Sequence, residues 1–241
     1  MKKHHINIIL VIAIASVTVL TSCRRFRCKK GSGDIKSETH KVGDFTKLDI
    51  AGGFKVTLKQ DSSQNVVITA DDNLLQYILT DVNGGTLRIK NKRNICGSRE
   101  ITLVIGVRNL NEIEASGGIE LKTDGRLNVK DLHFDLSGAT KVDMDLSAAN
   151  VSTEGSGATE IALRGQAASH DLHLSGSGKV NALDFVVGRY NIETSGASEC
   201  KVNVLNELSV HTTGASDIQY RGNPGTVNSE KTGASTLKKI D

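Results

Sequence analysis

Seven ionisable residues recur at nearly constant spacing through the second half of this 241-residue chain: Glu114, Asp135, Glu154, His173, Glu193, His211 and Glu230. Carboxylate and imidazole together are the ligand types of zinc-like ions. His173, Glu193 and His211, where the two types alternate, are therefore a candidate cation-binding ladder. The competing reading is a solvated strand face with pH-sensitive histidines. Stacked at strand spacing, neighbouring like charges would repel by about 0.9 kcal/mol even in water. Other chemistry is thin. Asp131, Asp135, Asp143 and Asp145 lie close together, as the paired carboxylates of a polysaccharide-acting enzyme would. The column through Asp143, however, reads Lys122, Asp143, Ala162, Asn181, Lys201 and holds no consistent acidic partner. No phosphate-binding loop, Ser/His/Asp order or zinc-protease motif is present. Five Phe, three Tyr and no Trp leave little to stack on sugars or bases. The chain is expected to be no enzyme, to need no cofactor and to bind no nucleic acid.

The ladder is set by a repeat. Taking the glycine of each copy as origin, the motif reads Ser116-Gly117-Gly118, Ser137-Gly138-Ala139-Thr140, Ser156-Gly157-Ala158-Thr159 and Ser175-Gly176-Ser177-Gly178. It continues as Ser195-Gly196-Ala197-Ser198, Thr213-Gly214-Ala215-Ser216 and Thr232-Gly233-Ala234-Ser235, at glycine intervals of 21, 19, 19, 20, 18 and 19. Four residues after each glycine stand Leu121, Val142, Ile161, Val180, Cys200, Ile218 and Leu237. One step earlier stand Glu120, Lys141, Glu160, Lys179, Glu199, Asp217 and Thr236. Adjacent columns of opposite character mean period two, hence strand. A second, mostly apolar column precedes each glycine by four: Ile113, Phe134, Thr153, Leu172, Ile192, Val210 and Ser229. A unit this short cannot bury its own apolar face and must stack on its neighbours. Two short strands per repeat, a Ser-Gly-Ala corner between them and in-register parallel stacking give a parallel β-helix, a β-solenoid of about nineteen-residue repeats over 111–241. Cys200, in an inward slot, reads as a small buried hydrophobe rather than a reactive thiol.

Residues 38–110 form a less regular β portion that leads into or caps the repeats. Phe45 to Leu58 alternates, and Ile50-Ala51-Gly52-Gly53-Phe54-Lys55-Val56 echoes Ala115-Ser116-Gly117-Gly118-Ile119-Glu120-Leu121. Val66–Thr69, Thr86–Lys90 (after an Asn83-Gly84-Gly85 turn) and Ile101–Ile105 are expected strands. Asp71-Asp72-Asn73 before Leu74–Leu79 predicts a short N-capped helix.

The beginning of the chain carries an address. Lys2-Lys3-His4-His5 precedes an apolar run from Ile6 to Leu20, too short for a comfortable transmembrane helix. Residues 1–22 have the layout of a secretory signal. Leu20-Thr21-Ser22-Cys23 resembles a bacterial lipobox, which implies cleavage before Cys23 and lipid on that cysteine. Segment 23–37 is then a basic tether, with Arg24, Arg25, Arg27, Lys29 and Lys30 beside the lipid. Near an anionic membrane each such cation contributes about 1 kcal/mol. Lys2 and Lys3 supply two of the three net positive charges, so the mature chain is nearly neutral and has no long-range pull on nucleic acid. Cys28, Cys96 and Cys200 are an odd set: one bridge is possible in an oxidising compartment, and the sequence does not choose it.

The lipobox, the early Gly52-Gly53-Phe54-Lys55-Val56, the strand after Asn83-Gly84-Gly85 and the train of Ser-Gly-Ala repeats together resemble the head GIN domain family, the autotransporter-adhesin heads of Bacteroidetes-like bacteria. The resemblance covers roughly Lys36 to Asp241. It implies an all-β, right-handed parallel β-helix and brings no catalytic residues with it. The expected function is a non-enzymatic cell-envelope lipoprotein of the outer membrane, on its periplasmic side or at the cell surface. It would be held by its lipid and present a surface for adhesion-like or scaffolding contact with an envelope protein or surface glycan. The alternatives are cation or ligand binding through the acid/His ladder and, last, a β-helix enzyme acting on polysaccharide.

Overall fold

The computed structural model describes residues 28–241; the expected signal peptide 1–22 and the lipidation candidate Cys23 lie outside the described residues. The described chain is all-β, with no α-helix. Its strands are β1 Ile35–Lys41, β2 Lys47–Gln60, β3 Asn65–Asp71, β4 Ile78–Asn83, β5 Thr86–Asn91, β6 Thr102–Val107, β7 Glu112–Asn128, β8 Asp131–Arg221, β9 Thr226–Gly233 and β10 Thr236–Lys239. They form one unclosed ten-stranded sheet along the path β1-β3-β6-β2-β7-β8-β10, with β4, β5 and β9 paired off it.

Successive repeats pair in parallel. β7 lies on the start of β8 with Gly117 opposite Gly138 and Leu121 opposite Val142. β9 pairs with the end of β8, Gly233 opposite Gly214, and β10 continues that copy with Leu237 opposite Ile218. Extended backbone continues through the motif instead of splitting into two strands at a corner. What marks the motif is the sign of φ at its glycine, from +83° at Gly138 to +122° at Gly214. These glycines stack: a Cβ on Gly157 would stand 2.7 Å from the carbonyl oxygen of Gly138, and one on Gly176 2.8 Å from that of Gly157. Glycine is required here twice over, for its dihedral and for the close approach of the preceding backbone.

The two apolar columns are buried as their period requires. Ile113, Phe134, Leu172, Ile192 and Val210 line the core with Leu121, Val142, Ile161, Val180 and Ile218. Each such aliphatic side chain contributes roughly 1.5–3 kcal/mol. Cys200 is fully buried among them, and burial pushes its thiol up to about 12. The column ends at Ser229, and every residue of β9 is exposed. With Lys231, Lys238 and Lys239, this last copy covers the sheet edge with polar side chains, a protection against edge-to-edge pairing.

Residues 28–110 are built differently. The echo of the repeat in β2 is real: Gly52 stands opposite Gly117 and Phe54 opposite Ile119, so β2 pairs directly with β7. Around β2 the chain folds back through antiparallel pairs β1–β3, β3–β6 and β4–β5, while β5 and β6 pair with β2 in parallel. The helix expected over 74–79 is a single 3-10 turn at Leu75–Tyr77, with Ile78 and Leu79 already in β4. Its N-cap position falls on Leu74, which has no side-chain acceptor, and the Asp71 carboxylate instead accepts the Gly33 and Arg99 N–H groups at 2.6 and 3.1 Å. Asn73 accepts the Ser32 N–H at 3.1 Å and donates to the Lys30 carbonyl at 2.9 Å. Cys28 is joined to Cys96 by a disulfide. From Cys28 onward, the segment expected as a tether over 23–37 is therefore docked on the body.

Candidate functional site: the acid and histidine groove

The ladder three residues before each glycine points outward on the same side as the Ser or Thr that immediately precedes the glycine, because the two positions share parity. Between these two rows runs a groove of about 520 Å³. Asp135, Glu154, His173, Glu193 and His211 line one side, and Ser156, Ser175, Ser195 and Thr213 the other. Its floor is the intervening inward column, where Leu174 and Thr194 are buried. A second recess, of about 580 Å³, lies around Thr46, Asn109, Asn128 and Ser147. Its only charged lining residues are Lys130 and Asp131, so the groove is the better candidate for specific recognition.

Within the groove the sequence-predicted trio is only partly assembled. His173 Nδ1 and Glu193 Oε2 are 3.1 Å apart. His211 instead faces the next copy, its Nδ1 3.3 Å from Glu230 Oε2. Among the described residues no group of three or more His, Cys, Asp and Glu is placed to hold a metal ion. The upper end of the same ladder differs. Glu114 lies between Asp49 and Asp135 in register. Loss of surrounding water, and then the charges of Asp49, Glu112 and Asp135, hold its carboxyl above the usual range. Its neighbour Glu112 goes the other way, lowered by a hydrogen bond from Lys47.

Three of the four carboxylates weighed as enzyme candidates are engaged by adjacent copies, and the fourth, Asp135, lines the groove. Asp143 accepts from Arg164 at 2.6 Å, Asp145 from Arg126 at 2.7 Å and Asp131 from Asn150 at 2.6 Å. These contacts tie register. The outer Glu/Lys ladder does so more weakly, Lys141 lying 3.6 Å from Glu160 at the surface.

Two features of the interior escaped the sequence reading. The fourth motif residue is buried: Thr140, Thr159, Ser198 and Ser216 all face inward. Thr194 and Ser216 share a hydrogen bond at 2.9 Å, and Thr140 Oγ1 donates to the Ser137 carbonyl at 3.0 Å. The signal was available, since this position shares parity with the apolar column two steps on. The other feature is His170, fully buried, its Nε2 2.9 Å from Thr153 Oγ1 and its ring 4.8 Å from that of Tyr190. Burial holds this imidazole down at about 3, so it is neutral in the fold. The signal was available here too: His170 stands six residues before Gly176, in the inward column of Leu132, Val151, Tyr190 and Leu208, whereas the ladder histidines have the outward parity.

Fold and groove define an all-β repeat domain with a recess lined by ionisable and hydroxyl side chains. The profile of a family described as "putative auto-transporter adhesin, head GIN domain" matches residues 44–224, and the chain belongs to that family. Solved structures agree on the fold. A putative adhesin from Bacteroides fragilis superposes with a TM-score of 0.84 at 21% identity, covering 88% of this chain and 100% of its own. A putative lipid binding protein from Parabacteroides distasonis gives 0.70 at 18%, covering 89% and 100%. A putative adhesin from Parabacteroides merdae gives 0.67 at 20%, covering 88% and 99%. No curated protein matches the chain. The family is adhesin-like and is not a known enzyme family; its character points to the cell surface or envelope. Among the described residues no helix is long and apolar enough to cross a membrane.

Proposed function

We propose that this chain is a non-enzymatic envelope lipoprotein, anchored through lipid on Cys23, that uses the acid/His groove for adhesion-like or scaffolding contact. In this reading the repeats form a right-handed parallel β-helix, supported by their parallel register and by the stacked glycines. The observation that carries the proposal is the groove itself. Five ionisable side chains from successive copies line one recess opposite a row of hydroxyls. Such a row offers acceptors and donors at regular intervals to a partner with matching periodicity, an envelope protein or a surface glycan. A disulfide in the mature chain fits an oxidising compartment.

The test replaces Glu154, His173, Glu193 and His211 together by Gln and measures retention on isolated envelope and on purified surface polysaccharide. Retention is expected to fall at least about tenfold, each lost charge-assisted hydrogen bond being worth roughly 1.5–3 kcal/mol. A control at Lys141 and Lys179, on the outer ladder, should leave retention unchanged. Equal retention by wild type and the quadruple variant would remove the groove from the function. Ion binding at His173, Glu193 and His211 is the second reading; it draws on the His173–Glu193 contact and requires His211 to leave Glu230. Calorimetric titration with zinc decides it, and absence of heat would sink it.

A further inference from the structure

Four basic residues, Lys29, Lys30, Lys92 and Arg93, stand where the described chain enters the fold. Lys29 bonds its backbone into the 94–96 segment, its N–H to the Asn94 carbonyl at 2.8 Å and its carbonyl to the Cys96 N–H at 2.9 Å. The Lys92 N–H reaches the Tyr77 carbonyl at 2.7 Å, and Lys29 Nζ stands 5.4 Å from the centre of the Tyr77 ring. Cys28, Lys29, Tyr77 and Arg93 line one recess of about 490 Å³. Lys30 follows directly, and Lys29, Lys30, Lys92 and Arg93 are all exposed. Among the described residues none of these four cations is within ion-pair distance of a carboxylate. The nearby acid Asp71 is buried, its oxygens bonded to backbone N–H groups, and Asp72 accepts the Ser32 hydroxyl.

The disulfide gives this patch a position. Four residues lie between Cys23 and Cys28, and the five backbone steps reach at most about 18 Å fully extended. Cys28 is fixed to the body through Cys96. Lipid on Cys23 therefore holds the bilayer within that distance of Cys28, which lines the same recess as Lys29, Tyr77 and Arg93. The half-buried Tyr77 beside the cations suits a boundary between headgroups and water, where an aromatic body and a polar tip are both satisfied.

We infer that Lys29, Lys30, Lys92, Arg93 and Tyr77 form a membrane-docking face for anionic phospholipid headgroups, and that the Cys28–Cys96 bridge sets it against the bilayer. The inference rests on the lipid-anchor reading. It turns a protein on a string into one with a base.

The experiment reconstitutes the full lipidated protein into phosphatidylcholine vesicles with and without phosphatidylglycerol and labels lysines with an acylating reagent. Lys29, Lys30 and Lys92 are expected to be protected on the anionic vesicles, with Lys141 and Lys179 labelled equally on both. In parallel, the mature chain carrying C23S, without lipid, should bind anionic vesicles and be released by salt. Adding K92Q and R93Q should weaken that binding about fivefold per charge and about thirtyfold together. Equal labelling of Lys29 and Lys141 on anionic vesicles, or C23S binding unaltered by K92Q and R93Q, would overturn the proposal; the second result would leave the contact to Arg24, Arg25 and Arg27. Failure of the lipid-anchor reading shows separately, as a mature chain whose mass carries no lipid.

Discussion

Between Cys28 and Leu110 the chain reverses through three antiparallel pairings and is tied at single points: one disulfide, and the buried carboxylate of Asp71. Between Glu112 and Gly233 the pairings of named strands are parallel, and what holds them is columnar: stacked glycines, two apolar columns and ties such as Arg164 to Asp143. Both regions bury an apolar core; the first adds ties that occur once, and the second repeats its ties from copy to copy. Damage should therefore stay local in the first and travel to neighbouring copies in the second. The largest effect is expected from Cys96→Ser. The bridge closes a 68-residue separation, and its loss should cost about 4 kcal/mol on chain-entropy grounds. Hydrogen exchange should quicken in β1 and β3–β5 while β8 keeps its protection. Equal quickening in β8 would mean that the two regions open as one unit.

The counterpart in the repeats is Gly157→Ala. Its φ is +89°, and the new Cβ would stand 2.7 Å from the Gly138 carbonyl oxygen. A cost of about 1–3 kcal/mol is expected. Exchange should quicken in the copies on both sides of Gly157 and leave β1 and β3–β5 untouched. Confinement of the effect to one copy would contradict columnar cooperativity.

The same contrast explains what could be read from the sequence. A repeat writes its register seven times over, so the inward columns and the outward ladder emerged from alignment with itself, as did the pairing of Gly52 with Gly117. The antiparallel pairings of β1, β3 and β4 are each written once and depend on contacts far apart in the chain. For the same reason the Cys28–Cys96 bridge remained one of several possibilities. Local propensity misled at 71–79: an Asp-Asp-Asn run reads as a helix cap, but the N-cap position falls on Leu74 and Asp71 instead accepts the Gly33 and Arg99 amides. The site was legible as a line of residues. That this line borders a groove depends on the small motif Ser opposite it, and the turn of His211 toward Glu230 is a rotamer choice with no sequence signature.

His170 sharpens the comparison inside the repeats, between a buried histidine and those of the ladder. Held near 3 and neutral in the fold, it has an ordinary value of 6.5 in the unfolded chain. The unfolded state thus takes up the proton first. The stability His170 contributes is complete above pH 6.5 and is lost as pH falls toward 3, by at most about 1.4 kcal/mol per pH unit. Denaturant midpoints between pH 6.5 and 5, where carboxylates are still ionised, should fall steeply for wild type and less steeply for His170→Leu. An unchanged slope would show that the imidazole is reached by solvent.

The smallest effect compares the two ends of one ladder. Glu114 stands among Asp49, Glu112 and Asp135, and its carboxyl is held above the usual range, so it binds its proton more tightly folded than unfolded. Its ionised form opposes folding above that range, and the opposition disappears as pH falls through its raised value. Glu114→Gln should therefore raise the thermal midpoint at neutral pH, by no more than about 0.5 kcal/mol given its exposure, with the gain shrinking in high salt. Glu193→Gln, at the end where an acid meets His173 at 3.1 Å, removes a contact between unlike groups and should lower the midpoint slightly. Opposite signs at the two ends would establish that the interleaved histidines relieve the repulsion of the acidic column. Equal signs would mean that the ladder is too well solvated for its members to sense one another, and would weaken the case for the groove as a site of specific recognition.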